Sequence, residues 1–369
     1  MMNELDDDAL PDPLEVSGAT PTDGVGLCLS GGGYRAMVFH LGVLRRFNET
    51  GWLQKLTRVA SVSGGSIIAA QLGMGWKNLE FNNDVATNFD ALVGNPILNL
   101  AAKTIDRKAI LAGVLLPGGI SQRVQTAYDK LLFHGATLQA LPRKGEGPTF
   151  ILLATNLTNG ALWRFSQAYM RDWRSDSIDN PTVSLAHAAA ASSAFPPFLS
   201  PSVLDIPDRP TLHLTDGGVY DNLGLEPIVK RCKTVFVSDG GGTFGEPAKP
   251  HTDWLRGTLR VLNTVDVEVR RLRRRQINGL LASGQRGGAF FAINTDYARF
   301  PNRSPALPAT DAATKDLAAT KTRLAKLDPQ RCRKLVNWGY AAADAALRSY
   351  VDPALAQPAG FPYPAEALQ

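Results

Sequence analysis

Four short turns hold the residues of this chain that could do covalent chemistry. Ser63 stands in Ser61-Val62-Ser63-Gly64-Gly65, after the short run Leu56–Ala60, which can be a buried strand, and before the apolar run Ile67–Leu72. A serine between a strand and a helix, with small residues on both sides, has the form of a nucleophile elbow. That turn is sharp, strains the serine backbone and exposes the hydroxyl. The usual pattern is G-x-S-x-G, and Ser61 replaces the first glycine. The helix expected to start at Gly64 aims backbone N–H groups at any negative charge that develops beside Ser63.

The triple glycine Gly31-Gly32-Gly33 ends the apolar run Val25–Leu29 and precedes Tyr34-Arg35-Ala36. Two chemistries compete for it. The run satisfies a dinucleotide pattern, G-x-G-x-x-A, but that site wants an acid at the end of the next strand, where Ser61 and Ser63 stand instead. A phosphate-binding loop would want Gly-Lys-Ser/Thr, which is missing. An oxyanion hole fits better: the glycines let backbone N–H groups approach a reacting carbonyl oxygen one strand from a serine nucleophile.

A serine hydroxyl needs a base. In a triad with the chain order Ser, Asp, His, the histidine would be His251, the one histidine after Asp216. In a dyad a carboxylate takes the proton itself, which partial burial would favour by raising its pKa. Two carboxylates qualify. Asp216 follows Leu212–Thr215 and leads into Gly217-Gly218; Asp239 follows Val235–Ser238 and leads into Gly240-Gly241-Gly242. Spacing does not choose between them, and either could be an ordinary acid–glycine turn.

These turns need a sheet to bring them to one edge. Val25–Leu29 reads as a buried strand, and Met37, Val38, Leu41, Leu44 and Phe47 recur at helical spacing up to the stop at Gly51. Residues 24–70 therefore read as a βαβα unit with two specialised turns on the same edge, where ligands bind in open parallel sheets. Thr149–Ala154 is a third strand, and Ser184–Ser193 an alanine-rich helix containing His187, which reads as a core histidine. Residues 74–147 read as a helical insertion broken at Pro96, Pro117 and Gly118-Gly119, with an apolar patch at Ile110–Leu116. A helix is expected over Leu259–Leu281. Val261, Val265, Val269, Leu272 and Leu280 would line one side, and the arginines from Arg270 to Arg275 would form a solvated face or meet anionic lipid headgroups. Closing helices are expected over Asp311–Leu327 and Pro329–Tyr350, with a loose tail over 351–369. The expected layout is thus an acidic, disordered tail over 1–23, one domain over 24–350 and the C-terminal tail.

Composition narrows the partners. Residues 1–23 hold seven acids and no Lys or Arg, unlike a signal peptide. With that −7 set aside, the net +5 of the 369 residues leaves +12 on the rest. A basic body suits an anionic partner, a membrane surface before a nucleic acid, since no DNA-binding motif or aromatic stacking pattern accompanies the arginines. The three cysteines, Cys28, Cys232 and Cys332, have neither zinc nor disulfide spacing and fit a reducing compartment. No run approaches the roughly 18 apolar residues of a membrane span. The expected place is the cytoplasm or a membrane periphery.

Taken in order, Ser30–Arg35, Ser61–Gly65, Ala191–Pro197 and Asp216–Gly224 resemble the motifs of the patatin-like phospholipases. The resemblance runs from about Val25 to Gly242 and more loosely to Tyr350. It implies a three-layer α/β fold with a central, mainly parallel sheet. It implies a serine lipid acyl hydrolase that cleaves fatty-acyl esters with a Ser63–Asp216 dyad, an oxyanion hole from Gly31, Gly32, Gly33 and Gly64, and neither metal nor cofactor. The wording Ser30–Met37 is also similar to cytosolic phospholipase A2 and its lysophospholipase relatives, in which an arginine faces the substrate phosphate; Arg35 would take that role. The alternatives on the same fold are a non-catalytic lipid-binding scaffold and an esterase for other esters.

Overall fold

In the computed structural model, residues 21–106, 119–197, 199–242, 253–303 and 307–369 are described. The acidic tail up to residue 20, the apolar patch Ile110–Leu116 and His251 lie outside them.

The chain opens as β1 (Thr22–Leu29), α1 (Gly33–Glu49), β2 (Arg58–Val62) and α2 (Gly64–Gly75), followed by the small hairpin of β3 (Phe81–Asn82) and β4 (Val85–Ala86). Next come α3 (Asn95–Ala101) and α4 (Ile120–Tyr128). Pro96 sits in the first turn of α3 and starts the helix where a break was expected, because the missing N–H is not needed there. Strands β5 (Thr149–Asn156), β6 (Leu162–Phe165), β7 (Tyr169–Arg171) and β8 (Ile178–Asp179) lead to the alanine-rich α5 (Leu185–Ser192). Then follow β9 (Ser202–Leu204), β10 (Leu212–Asp216), α6 (Gly218–Asp221), α7 (Glu226–Val229) and β11 (Cys232–Asp239). The chain ends with α8 (Trp254–Ala282), β12 (Gly287–Ala292), α9 (Asp311–Ala318) and α10 (Pro329–Tyr350).

Strands β12, β11, β1, β2 and β5 form the parallel centre of one sheet, which β6, β7 and β8 extend in antiparallel fashion. Successive side chains of a strand point to opposite faces, and here both faces are buried. Leu27, Leu29, Val59, Phe150, Leu152 and Phe236 join the core under α1, α2, α5 and α10. Cys28, Ala60, Val62, Ile151, Leu153 and Val237 join a second core with Leu223, Ile228 and Ile277 from the helical side opposite. This is the expected three-layer α/β architecture. Helix α10 crosses α1 where both are glycine: a Cβ on Gly42 would lie 1.9 Å from the Val336 carbonyl oxygen, and one on Gly339 1.9 Å from that of Phe39.

Three expectations change. Helix α9 stops at Ala318, and residues 319–324 instead form a loop that reaches the edge of the sheet where the glycine turns lie. The segment 351–369 is irregular but tethered: Asn337 donates to the carbonyls of Tyr363 and Glu366, and Leu368 is fully buried. In α8 most of the expected stripe faces water: Val261, Val265 and Leu272 are exposed and Val269 is half-buried, while Leu280 packs against the second core. Arg273 and Arg274 turn inward because buried carboxylates need partners, Arg274 meeting Asp239 at 2.6 Å and Arg273 lying 4.0 Å from Asp221, while Arg271 and Arg275 stay exposed. All three cysteines are buried and free.

Candidate active site

The register of β5 explains how two distant residues meet. On one edge, β2 runs parallel to β5 and ends with Val62 opposite Leu153. On the same edge β10 runs antiparallel, with Asp216 opposite Ala154, the next residue of β5. The two strands therefore approach head-on, and each ends where the other does. Ser63 follows the last residue of β2, and Asp216 is the last residue of β10.

Ser63 has φ 51° and ψ −119° and caps α2. A positive φ at a non-glycine residue costs about 1–3 kcal/mol and persists only when its surroundings enforce it. Here a serine cluster does so. The Ser63 N–H donates to Ser192 Oγ at 3.0 Å, and Ser192 Oγ donates to the Leu153 carbonyl at 2.6 Å. Ser66 Oγ lies 2.8 Å from Ser192 Oγ and donates to Ser61 Oγ at 3.0 Å. Ser61 thus uses the hydroxyl that distinguishes it from the usual glycine. It lies within β2 at extended backbone, so its Cβ is accommodated. Gly64 does need to be glycine, since a Cβ there would lie 2.1 Å from the Gly33 carbonyl oxygen.

Asp216 is buried. Its Oδ1 accepts the Gly218 N–H at 2.7 Å, while Oδ2 has no hydrogen-bond partner of good geometry among the described residues. Burial pushes its pKa up to about 7, with a further push from Asp266; the Gly218 N–H and the neighbouring Ser63 hydroxyl pull it back. A buried carboxylate with that affinity is far better matched to a proton transfer near neutral pH than a solvated aspartate. Its backbone is fixed by Thr155 Oγ1, which donates to its carbonyl at 3.0 Å, and by the Ala194 carbonyl, which accepts its N–H at 3.1 Å.

Asp239 is equally buried but differently placed. Arg274 Nε donates to Oδ2 at 2.8 Å and the Gly241 N–H to Oδ1 at 2.8 Å. Burial opposes ionisation, but Arg274, Arg270 and these donors outweigh it, and the pKa is held below the ordinary range. Asp239 belongs to a structural network. Ser30 Oγ donates to it at 3.3 Å, and His40 spans Ser238 Oγ and the Ser30 carbonyl at 2.8 and 3.0 Å. Burial lowers the His40 pKa to about 4, so the ring stays neutral. His187 is buried against Gln125, as a core histidine should be.

The glycine loop lies against the elbow. Gly32 and Gly33 have φ of 146° and 61°, conformations that a side chain would strain. The N–H of Gly31 is spent on the Asn222 carbonyl at 3.1 Å, so this glycine shapes the loop. Among the described residues, no acceptor takes the N–H groups of Gly32, Gly33 or Gly64. Arg35 is buried one turn along. Its Nε donates to the Gly240 carbonyl at 3.0 Å and another nitrogen to the Thr320 carbonyl, while a third has no partner among the described residues. Burial and the nearby Arg270 lower its pKa to about 10, so it remains a cation.

These groups line one cleft of about 710 Å³. Phe195, Pro196 and Leu199 supply apolar wall, and Arg270, Asp266 and the 319–324 loop supply the other side. No histidine lines it among the described residues. The loop, Asn222 and Ser192 carried no legible signal of this placement. Residues 319–324 read as helix, and Asn222 and Ser192 sat in motifs without an assigned task.

The family model for patatin-like phospholipases matches residues 27–229, which contain the glycine loop, Ser63 and Asp216. Comparison with curated protein sequences finds no match. Among solved structures, human GIVD cytosolic phospholipase A2 aligns with a TM-score of 0.50 and 13% identity over 93% of this chain and 62% of that one. VipD from Legionella pneumophila aligns with a TM-score of 0.40 and 14% identity over 89% and 67% of the two chains. This chain spans about three fifths of the human structure it matches, and that likeness is one of fold. More than half of the sequence lies within the matched span, and the chain belongs to the patatin-like phospholipase family.

Proposed function

We propose that the protein is a serine acyl hydrolase acting on fatty-acyl esters of lipids, of phospholipase A or lysophospholipase type. The observation that carries this reading is the head-on meeting of β2 and β10. It sets a strained serine beside a buried carboxylate, one oxygen of which has no hydrogen-bond partner of good geometry among the described residues. Ser63 Oγ attacks the ester carbonyl carbon, and its proton passes to Asp216. The oxyanion is met by the N–H groups of Gly32, Gly33 and Gly64, aided by the positive end of α2. The tetrahedral species collapses, the C–O bond to the alcohol breaks, and Asp216 returns the proton to the leaving oxygen. Water then gives a proton to Asp216 and attacks the acyl-enzyme; the fatty acid leaves and Ser63 recovers its proton.

Arg35 anchors the anionic part of the substrate, a phosphate in a phospholipid. A guanidinium with an unpartnered nitrogen beside a second arginine favours an anion there. The wall of Phe195, Pro196 and Leu199 suits an acyl chain. The test is fatty-acid release from mixed phospholipid vesicles by the wild type and Ser63→Ala, with labelling by a serine-directed fluorophosphonate. Release by the wild type alone and label on Ser63 alone are the expected results. Undiminished release by Ser63→Ala would overturn the assignment.

A further inference from the structure

Among the described residues, helix α8 carries a strip of apolar side chains that faces outward. Trp254 is 81% exposed, Val261 61%, Val265 55% and Leu272 58%. At roughly 100° per residue these four fall within about 40° of one another, so they form one continuous strip along five turns. The opposite face of the same helix lines the cleft, through Asn263, Asp266, Val267 and Arg270. The strip is therefore the outer surface of a cleft wall.

The charge around the strip identifies what it fits. Of the seven arginines of α8, Arg256, Arg271 and Arg275 are exposed, and the helix carries two carboxylates, Asp266 and Glu268. Asp266 turns toward the cleft, and Glu268, the acid nearest the strip, is paired with Arg271 at 2.5 Å. Arg271 and Arg275 flank the strip and are exposed. An apolar face bordered by arginines, with an exposed tryptophan at one end, is the pattern of a helix lying in a lipid headgroup layer.

We infer that the Trp254–Leu272 face of α8 is the surface by which this protein docks on an anionic membrane, setting the cleft wall against the bilayer that supplies its substrate. The inference rests on the acyl-hydrolase reading for its purpose, but its evidence is the strip itself. Docking strengthens with anionic lipid and weakens with salt, because the arginines act through a screened surface potential.

The test is co-sedimentation of the full chain with phosphatidylcholine vesicles, with and without about 30 mol% phosphatidylglycerol, the lipid charge serving as probe. Wild type is compared with Val261→Glu/Val265→Glu and with Trp254→Ala, alongside turnover of a soluble short-chain ester. Glutamate is a good helix former and these sites are exposed, so both variants should keep the fold. Expected is binding by wild type to the anionic vesicles, about tenfold or greater loss in the double variant and a smaller loss in Trp254→Ala, with ester turnover unchanged. Undiminished binding by the double variant overturns the docking surface and leaves the hydrolase reading intact. So does a wild type that ignores vesicles but cleaves the ester. A wild-type dimer that the double variant converts to monomer also overturns it, assigning the strip to a second copy. Wild type that binds vesicles through the strip but cleaves nothing supports the docking surface and sinks the hydrolase.

Discussion

Asp216 and Asp239 each end a buried strand, and each leads into consecutive glycines. Each also gives one oxygen to the N–H two residues ahead, at 2.7 and 2.8 Å. Their second oxygens differ. That of Asp239 holds a guanidinium, and that of Asp216 holds nothing within good hydrogen-bond geometry. At Asp216 burial outweighs the Gly218 N–H and the Ser63 hydroxyl and raises the pKa to about 7; at Asp239 it is overruled. The same local sequence yields a carboxylate that holds its proton more tightly in one place and a structural anion in the other. The partner that makes the difference, Arg274, arrives from a helix 35 residues beyond Asp239.

Exchanging the two carboxylates for amides should separate these roles most sharply in turnover. Asp216→Asn is expected to lower kcat by about 10³-fold or more while leaving the fold intact, as when a base that acts as a unit with its nucleophile is removed. Asp239→Asn should keep most turnover per folded molecule. Equal losses in active-site-titrated enzyme would break the comparison.

Stability should divide the pair the other way. Asp239→Asn leaves Arg274 partly buried without its anion, and removal of one partner of such a pair costs about 3–5 kcal/mol. The pH trends are opposite in sign. The lowered pKa of Asp239 means that its contribution is present above the unfolded value and is lost as pH falls through the folded one. The raised pKa of Asp216 means that its contribution is greatest below the unfolded value and is lost as pH rises toward about 7. Asp216→Asn should therefore raise Tm relative to wild type at pH 8 and do so less at pH 5. Thermal melts at the two pH values check both signs.

The pH profile of kcat/KM carries a further expectation. Since the base must be ionised, activity on a non-ionising ester should rise with pH along an acid limb near 7. A limb near 4 would mean that Asp216 is solvated in the free enzyme. The smallest effect belongs to Asp266, whose charge raises the affinity of Asp216 for its proton. Asp266→Asn should move the limb down by a fraction of a unit.

The legible parts of this protein are those in which neighbours in sequence are neighbours in space. The glycine loop, the elbow and the alanine-rich helix are each set by a few consecutive residues. Turn sterics, helix starts and alternating burial all act over that range. Ser63 could be named as the candidate nucleophile on those grounds alone. The choice of Asp216 over Asp239 came from resemblance, because the two strings are alike.

What the tertiary structure alone decided follows from longer reach. The register of β5 makes two strands meet end to end, a fact of pairing between residues 58–62, 149–156 and 212–216. The loop over the cleft interrupts a sequence with helical spacing, because Thr320 and Arg323 give their carbonyls to Arg35 and to the Tyr34 N–H. Helix α8 is the clearest case. Its periodicity defines two faces but not which one turns inward. Buried carboxylates on other elements drew Arg273 and Arg274 in, and Val261, Val265 and Leu272 of the expected stripe were left facing out.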